Sequence, residues 1–126
     1  MKDWLIVLIS DLLLPIIMVI AGLILQYRPS KNINYLYGYR TDRSMKSQEA
    51  WNFSQVYSGK KITLLGIVSF PVTLIVHLPF YGAGEGILGT LCIVCVILQC
   101  TSIAIPIIQT ERAMRAKFNP DGTPKA

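Results

Sequence analysis

The sequence predicts an all-α membrane protein: three transmembrane helices and one ordered polar loop. Three apolar runs carry that prediction, Trp4 to Tyr27, Ile62 to Tyr81 and Ile87 to Ile108. Each holds about 20 to 24 residues, enough for a helix to cross a hydrocarbon core of roughly 30 Å. The apolar fraction of 52% and mean hydropathy of +0.49 are high for a soluble chain, and their concentration in three runs decides the class. The 126 residues leave room for a single membrane domain, residues 1–126, with a loop over 28–61 and a tail over 109–126.

The distribution of Lys and Arg sets the orientation. The loop carries Arg28, Lys31, Arg40, Arg43, Lys46, Lys60 and Lys61, and the tail carries Arg112, Arg115, Lys117 and Lys125. Lys2 alone precedes the first run, and the turn from Gly82 to Gly86 has no basic residue. The positive-inside rule therefore places the N-terminus outside, with the loop and C-terminus in the cytoplasm. Basic residues flanking spans beside anionic lipid account for the net charge of +5, so no nucleic-acid partner is expected. The first run reads as an uncleaved helix and not as a signal peptide. Lys2 is followed at once by Asp3, Asp11 interrupts the apolar core, and no small-x-small site follows.

Each span carries a polar or small stripe. In the first, Asp11, Pro15, Gly22 and Gln26 fall near one helical face, and Pro15 frees the carbonyl of Asp11, which predicts a kink. In the second, Gly59, Thr63, Gly66, Ser69, Thr73 and His77 recur every three or four residues, with Pro71 a second kink site. In the third, Cys92, Cys95, Gln99, Ser102, Pro106 and Gln109 do the same. Three inward stripes make a small bundle, whose simplest use is interhelical packing. Asp11 and His77 are costly inside a membrane and sit at similar depth, about 10 Å below Trp4 and about 6 Å below Tyr81. They read either as a buried pair that sets helix register or as a site sensitive to protons or to an external ligand. The thiols have CxxC spacing but apolar neighbours, and the only His lies on another helix, so they read as packing residues and no metal is expected.

The loop is too rich in information to be a tether. Tyr35, Tyr37 and Tyr39 alternate, so an extended backbone places their rings on one side, with Gly38 between two of them and Arg40 beside them. Ser47 reads as an N-cap with Glu49 in the first helical turn, and Trp51, Gln55 and Gly59 follow on one face. This short helix is expected to run continuously, or nearly so, into the second span. The tail begins helical at Glu111, with Arg112, Arg115 and Phe118 along the inner membrane surface, and its last residues are expected to be loose.

Asn34, Tyr37-Gly38-Tyr39-Arg40-Thr41, Ser44, Glu49, Trp51 and Gly59 together resemble the signature of the SdpI-like bacterial membrane proteins. Gln55 stands where that pattern has Asn, and Asp42 where Pro is frequent. The resemblance implies a toxin-immunity protein of the bacterial cytoplasmic membrane. It implies recognition of a membrane-damaging peptide, and a loop that docks a cytoplasmic repressor. No phosphate loop, no Ser-His-acid set and no acid cluster for paired metals is present, so neither an enzyme nor a cofactor is expected. The alternative is a homo-oligomeric transporter or proton-coupled channel lined by Asp11, His77 and Gln99. The signature residues have two readings as well, a cap held by Arg40 or a docking surface for a partner.

Overall fold

A computed structural model describes residues 2–125. Its helices are α1 (Lys2–Tyr27), α2 (Gln48–His77), α3 (Glu85–Ser102) and α4 (Ala104–Lys117), with a 3-10 turn over Leu78–Phe80. α3 and α4 form one rod, so three helical rods are long and apolar enough to cross a membrane. Among the described residues there is no strand, only an isolated bridge between Phe118 and Pro124. The expected short helix after Ser47 is continuous with the second span, because α2 runs unbroken for 30 residues. The helix starts where Ser47 Oγ accepts from the Ala50 N–H at 3.0 Å, and the backbone there is extended. The third rod is interrupted at Ile103: Pro106 has no N–H for the Ser102 carbonyl, and the regular helix divides one turn before it.

α1 packs most extensively on α2. Glycine makes the approach possible. A Cβ on Gly22 would collide with Thr63 Oγ1 and lie 2.6 Å from the Thr63 nitrogen, and one on Gly59 would lie 2.7 Å from the Gln26 nitrogen. A Cβ on Gly66 would lie 2.8 Å from the Pro15 carbonyl oxygen. The backbones touch along this seam, as in membrane helix pairs whose contact face is built of small residues. Thr63 turns its hydroxyl back to the Gly59 carbonyl at 2.7 Å, so no polar hydrogen is left without a partner at the crossing.

The burial pattern is inverted relative to a soluble protein. Leu5, Ile6, Ile9, Leu64, Ile67, Ile75, Ile93 and Leu98 are exposed, whereas Asp11, Ser54, Gln55, Ser58, His77 and Thr110 are fully buried. The inward faces are Trp4, Leu8, Asp11, Pro15, Met18 and Gly22 on α1, with Thr63, Gly66, Thr73 and His77 on α2. The third rod contributes Leu88, Leu91, Cys95, Gln99, Pro106 and Thr110. Gln109, expected on that stripe, is exposed, because the break at Ile103 brings Thr110 inward instead.

The tail corrects the sequence reading. Phe118 does not lie on the membrane surface: it is 2% exposed and packs with Tyr39, Ala50 and Met114. The residues after it turn back at Gly122, whose carbonyl accepts from Ser47 Oγ, and the Phe118–Pro124 bridge closes the turn. The turn from Phe118 to Pro124 is therefore docked on the loop and the start of α2, so both lie at one end of the bundle. Trp4, the 3-10 turn and the glycine-rich connection lie at the other, where Trp4 and Tyr81 meet edge to face at 5.1 Å.

The α1–α2 seam should not tolerate a side chain. Gly22→Leu is expected to cost about 1–3 kcal/mol or more by overpacking, read as thermal stability in detergent. Gly89→Leu should be near neutral, since a Cβ there has open space around it.

Candidate functional site

Two polar assemblies stand out, one inside the bundle toward its Trp4 end and one at its loop end. The first is centred on Asp11, which is fully buried on α1. Its Oδ2 lies 2.8 Å from His77 Nε2 on α2, and its Oδ1 accepts from Cys92 Sγ on α3 at 3.2 Å. The carbonyl of Asp11, which Pro15 leaves without its helical partner, accepts from Gln99 Nε2 at 3.0 Å. The same amide donates to Thr73 Oγ1 at 3.0 Å, and Thr73 passes its own hydrogen to the Ser69 carbonyl at 2.8 Å. Gln99 Oε1 is buried with no hydrogen-bond partner.

The proton inventory of the pair follows from geometry. His77 Nδ1 lies 2.8 Å from the Thr73 carbonyl, which can only accept, so Nδ1 carries a hydrogen. A second hydrogen must then lie between Nε2 and Oδ2, and the pair as a whole is neutral whichever atom holds it. Neutrality is what a site with no exposure needs. The end of α2 is closed from α1: Trp4 Nε1 donates to the His77 carbonyl at 2.8 Å, where α2 gives way to the 3-10 turn. The sequence reading set the thiols apart from the His because they lie on different helices. Packing removes that separation, and single ligand atoms of Asp11, His77 and Cys95 lie within 4.8 Å of one another.

The second assembly is the loop, clamped by Gln55. This side chain is fully buried in α2 and holds both polar groups of one loop residue, accepting from Tyr39 N and donating to Tyr39 O at 2.7 Å each. The clamp requires Gly38, whose φ of 110° suits glycine and whose hypothetical Cβ would lie 2.5 Å from Gln55 Oε1. Trp51, also fully buried, donates from Nε1 to the Ser30 carbonyl at 2.7 Å and pins the start of the loop. Asn34 organises the intervening turn: its Oδ1 accepts from Leu36 N and Tyr37 N at 2.9 and 2.7 Å, and its Nδ2 donates to Ser30 Oγ at 2.9 Å.

Thr41 and Ser44 close a further turn, with Thr41 N donating to Ser44 Oγ at 2.7 Å. Both the Tyr39 and Thr41 hydroxyls donate to Glu111 Oε1, at 2.8 and 2.7 Å, and Arg43 Nε lies 3.8 Å from Glu111 Oε2. Burial, and then the neighbouring Glu111 carboxylate, hold the Tyr39 phenol well above its usual pKa, so it stays a donor.

Several expectations change here. The three tyrosines do not share a side: Tyr39 is 8% exposed, Tyr37 42% and Tyr35 83%. The turn at Asn34 and the positive φ at Gly38 break the extended run that alternation presumes. Arg40 does not hold helix-end carbonyls. It is exposed, and among the described residues it makes no hydrogen bond or ion pair; Gln55 does the holding. Glu49 is exposed in the first turn of α2 and contributes charge near the helix N-terminus only. Glu111, Phe118 and Gly122 were missed as parts of the loop assembly. Their signal was weak, since nothing local distinguishes a carboxylate that serves a loop some 70 residues away.

Gln55→Leu keeps the volume and leaves the Tyr39 backbone unpaired. It should release the loop, at about 1–3 kcal/mol for each buried group stranded, and accelerate tryptic cleavage at Arg40 and Arg43. Gln109→Leu, on an exposed face, should leave cleavage unchanged. The Tyr39 phenol gives a second check with a defined sign. A raised folded-state pKa means the unfolded chain releases the proton first, so docking is fully stabilised below about pH 10 and weakens as pH rises beyond it. Tyr39→Phe should remove that alkaline slope, measured as cleavage rate against pH.

No solved structure matches the chain. The uncharacterized protein YfhL of Bacillus subtilis (strain 168) is 33% identical over 108 residues, covering 84% of this chain and 86% of that protein. The model of the SdpI/YfhL protein family matches residues 31–110, a segment that begins with the loop, takes in α2 and α3, and ends beside Glu111. On the family match over residues 31–110 and this relative, the chain, with three helices long and apolar enough to cross a membrane, belongs to the SdpI/YfhL protein family.

Proposed function

We propose that this chain is an immunity protein of the bacterial cytoplasmic membrane. It protects the producing cell against a membrane-damaging peptide toxin by recognition and without catalysis. Its N-terminus lies outside, and its loop and C-terminus lie in the cytoplasm, where the loop docks a repressor protein. One observation supports this reading above the others: the signature residues are spent on building a surface. Asn34, Gly38, Tyr39, Thr41, Ser44, Trp51 and Gln55 satisfy one another within the chain, while Arg40 and Tyr35 are left facing outward. A loop held this firmly presents its exposed groups in a fixed arrangement, which is what partner recognition needs. Membership of the family supports the immunity role, and the basic residues of the loop and tail support the orientation.

The channel reading gains less support. Asp11, His77 and Gln99 bond to one another in the interior of a single chain, with Asp11 and His77 fully buried, and do not form a wall that a second copy would complete.

Expression in a toxin-sensitive bacterium should raise survival when the peptide encoded beside the gene is supplied. A reporter fused after Ala126 should be cytoplasmic, and Ala83→Cys should react with an impermeant thiol reagent from outside. Labelling of Ser47→Cys from outside would reverse the orientation. Lysine keeps the charge of Arg40 but loses the planar fork of donors, so Arg40→Lys should match Arg40→Ala in failing to recruit the repressor at unchanged protein level. No protection by a chain verified in the membrane, under conditions that kill the vector control, would remove the immunity role.

A further inference from the structure

The cluster around Asp11 brings together one donor of each kind that borderline divalent metals take: an imidazole nitrogen, a carboxylate oxygen and a thiol sulfur. Asp11 comes from α1, His77 from α2 and Cys95 from α3, so each rod supplies one ligand and a single ion would tie all three. We propose that Asp11, His77 and Cys95 form a binding site for a divalent transition-metal ion of the zinc class.

Three features beyond proximity support it. First, the imidazole is already oriented as a metal requires. Nδ1 donates to the Thr73 carbonyl, which points Nε2 at the carboxylate and leaves it as the ligating atom once the shared hydrogen departs, the outer-shell pattern that orients ligating histidines. Second, the carboxylate is held from its other side by Cys92 Sγ, which leaves Oδ2 for the metal and fixes the plane of Asp11. Third, charge balances. The ion replaces the hydrogen shared by Asp11 and His77 and the hydrogen of the Cys95 thiol, so two protons leave as two positive charges arrive. The product of one carboxylate, one thiolate, one neutral imidazole and M²⁺ is neutral, as the pair was before. This suits an interior closed to solvent, where both Asp11 and His77 are fully buried.

The donors need only small movements. Bond lengths of about 2.0 Å to nitrogen and oxygen and 2.3 Å to sulfur place tetrahedral ligands roughly 3.3 to 3.5 Å apart. The Asp11–His77 contact of 2.8 Å must open slightly, and the widest separation, at most 4.8 Å, must close. Three protein ligands leave a fourth position for water, and Gln99, whose Nε2 bonds the Asp11 carbonyl, adds a buried Oε1 without a partner to the same polar interior. The site does not depend on the immunity reading and stands or falls apart from it.

The test uses the full chain, purified in detergent from cells grown with added Zn²⁺ or, separately, Co²⁺. Wild type should retain about one metal per chain, and release of about two protons per ion should accompany reloading of the stripped protein. The cobalt form should show thiolate-to-cobalt charge-transfer absorption. Cys95→Ser should abolish that band and weaken binding by more than the roughly 10- to 100-fold expected of an outer-shell change, and Cys92→Ala should fall within that range. Cys100→Ser, an exposed position, should match wild type. His77→Gln should also lose the ion, and if it fails to fold, Cys95→Ser carries the result, provided its metal-free melting temperature equals that of wild type. Negligible metal in loaded wild type would overturn the site, as would a cobalt band that persists in Cys95→Ser.

Discussion

Asp11 is the point on which the bundle depends. A carboxylate in the interior of a membrane helix has no water to turn to, so its partners must come from the other helices. It obtains them from both: His77 of α2 and Cys92 of α3 take its two oxygens, and Gln99 of α3 takes its backbone carbonyl. The last bond exists because Pro15, one turn later, cannot donate to that carbonyl. The helix defect and the costly charge are thus answered from the same neighbouring helices. Rotating any rod would strand at least one buried group, which gives this small bundle a single preferred register.

Close approach of the backbones serves the same end. Apolar packing does little to distinguish one helix orientation from another when lipid is as apolar as leucine. Gly22, Gly59 and Gly66 let α1 and α2 touch, and the contact shortens the distance that Asp11 and His77 must reach across. The exposed leucines, isoleucines and valines then face outward, where hydrocarbon solvates them.

At the loop end the same economy works with different parts. Gln55 treats Tyr39 as a neighbouring strand would, filling both its donor and its acceptor, and Glu111 gathers the hydroxyls of Tyr39 and Thr41. Phe118 and the turn at Gly122 close over the start of α2, while Lys117 places its ammonium 4.4 Å above the Phe53 ring. The loop is consequently as well satisfied as the helices, and its free polar groups are concentrated on the outer face.

The sequence by itself determined the three apolar rods, the capped start of α2 at Ser47 and, Gln109 excepted, the stripes turned away from the exposed faces, because each is a matter of local spacing and chain length. Its motif residues also sufficed to point to the family, since the order of unusual residue types is itself a one-dimensional property. Only the tertiary structure decided what those residues touch. Alternation in the tyrosine run says nothing of the turn at Asn34 or of the positive φ at Gly38, which sends Tyr35 outward and Tyr39 inward. A charged fork in Arg40 looks like a clamp in sequence, yet the clamp is the neutral amide of Gln55, because a buried backbone needs one donor and one acceptor and guanidinium offers no acceptor. The convergence of Asp11, His77 and Cys95 belongs to the same class: three helices contribute one residue each, and only their mutual rotation, fixed by glycine contacts and proline defects, brings the donors together.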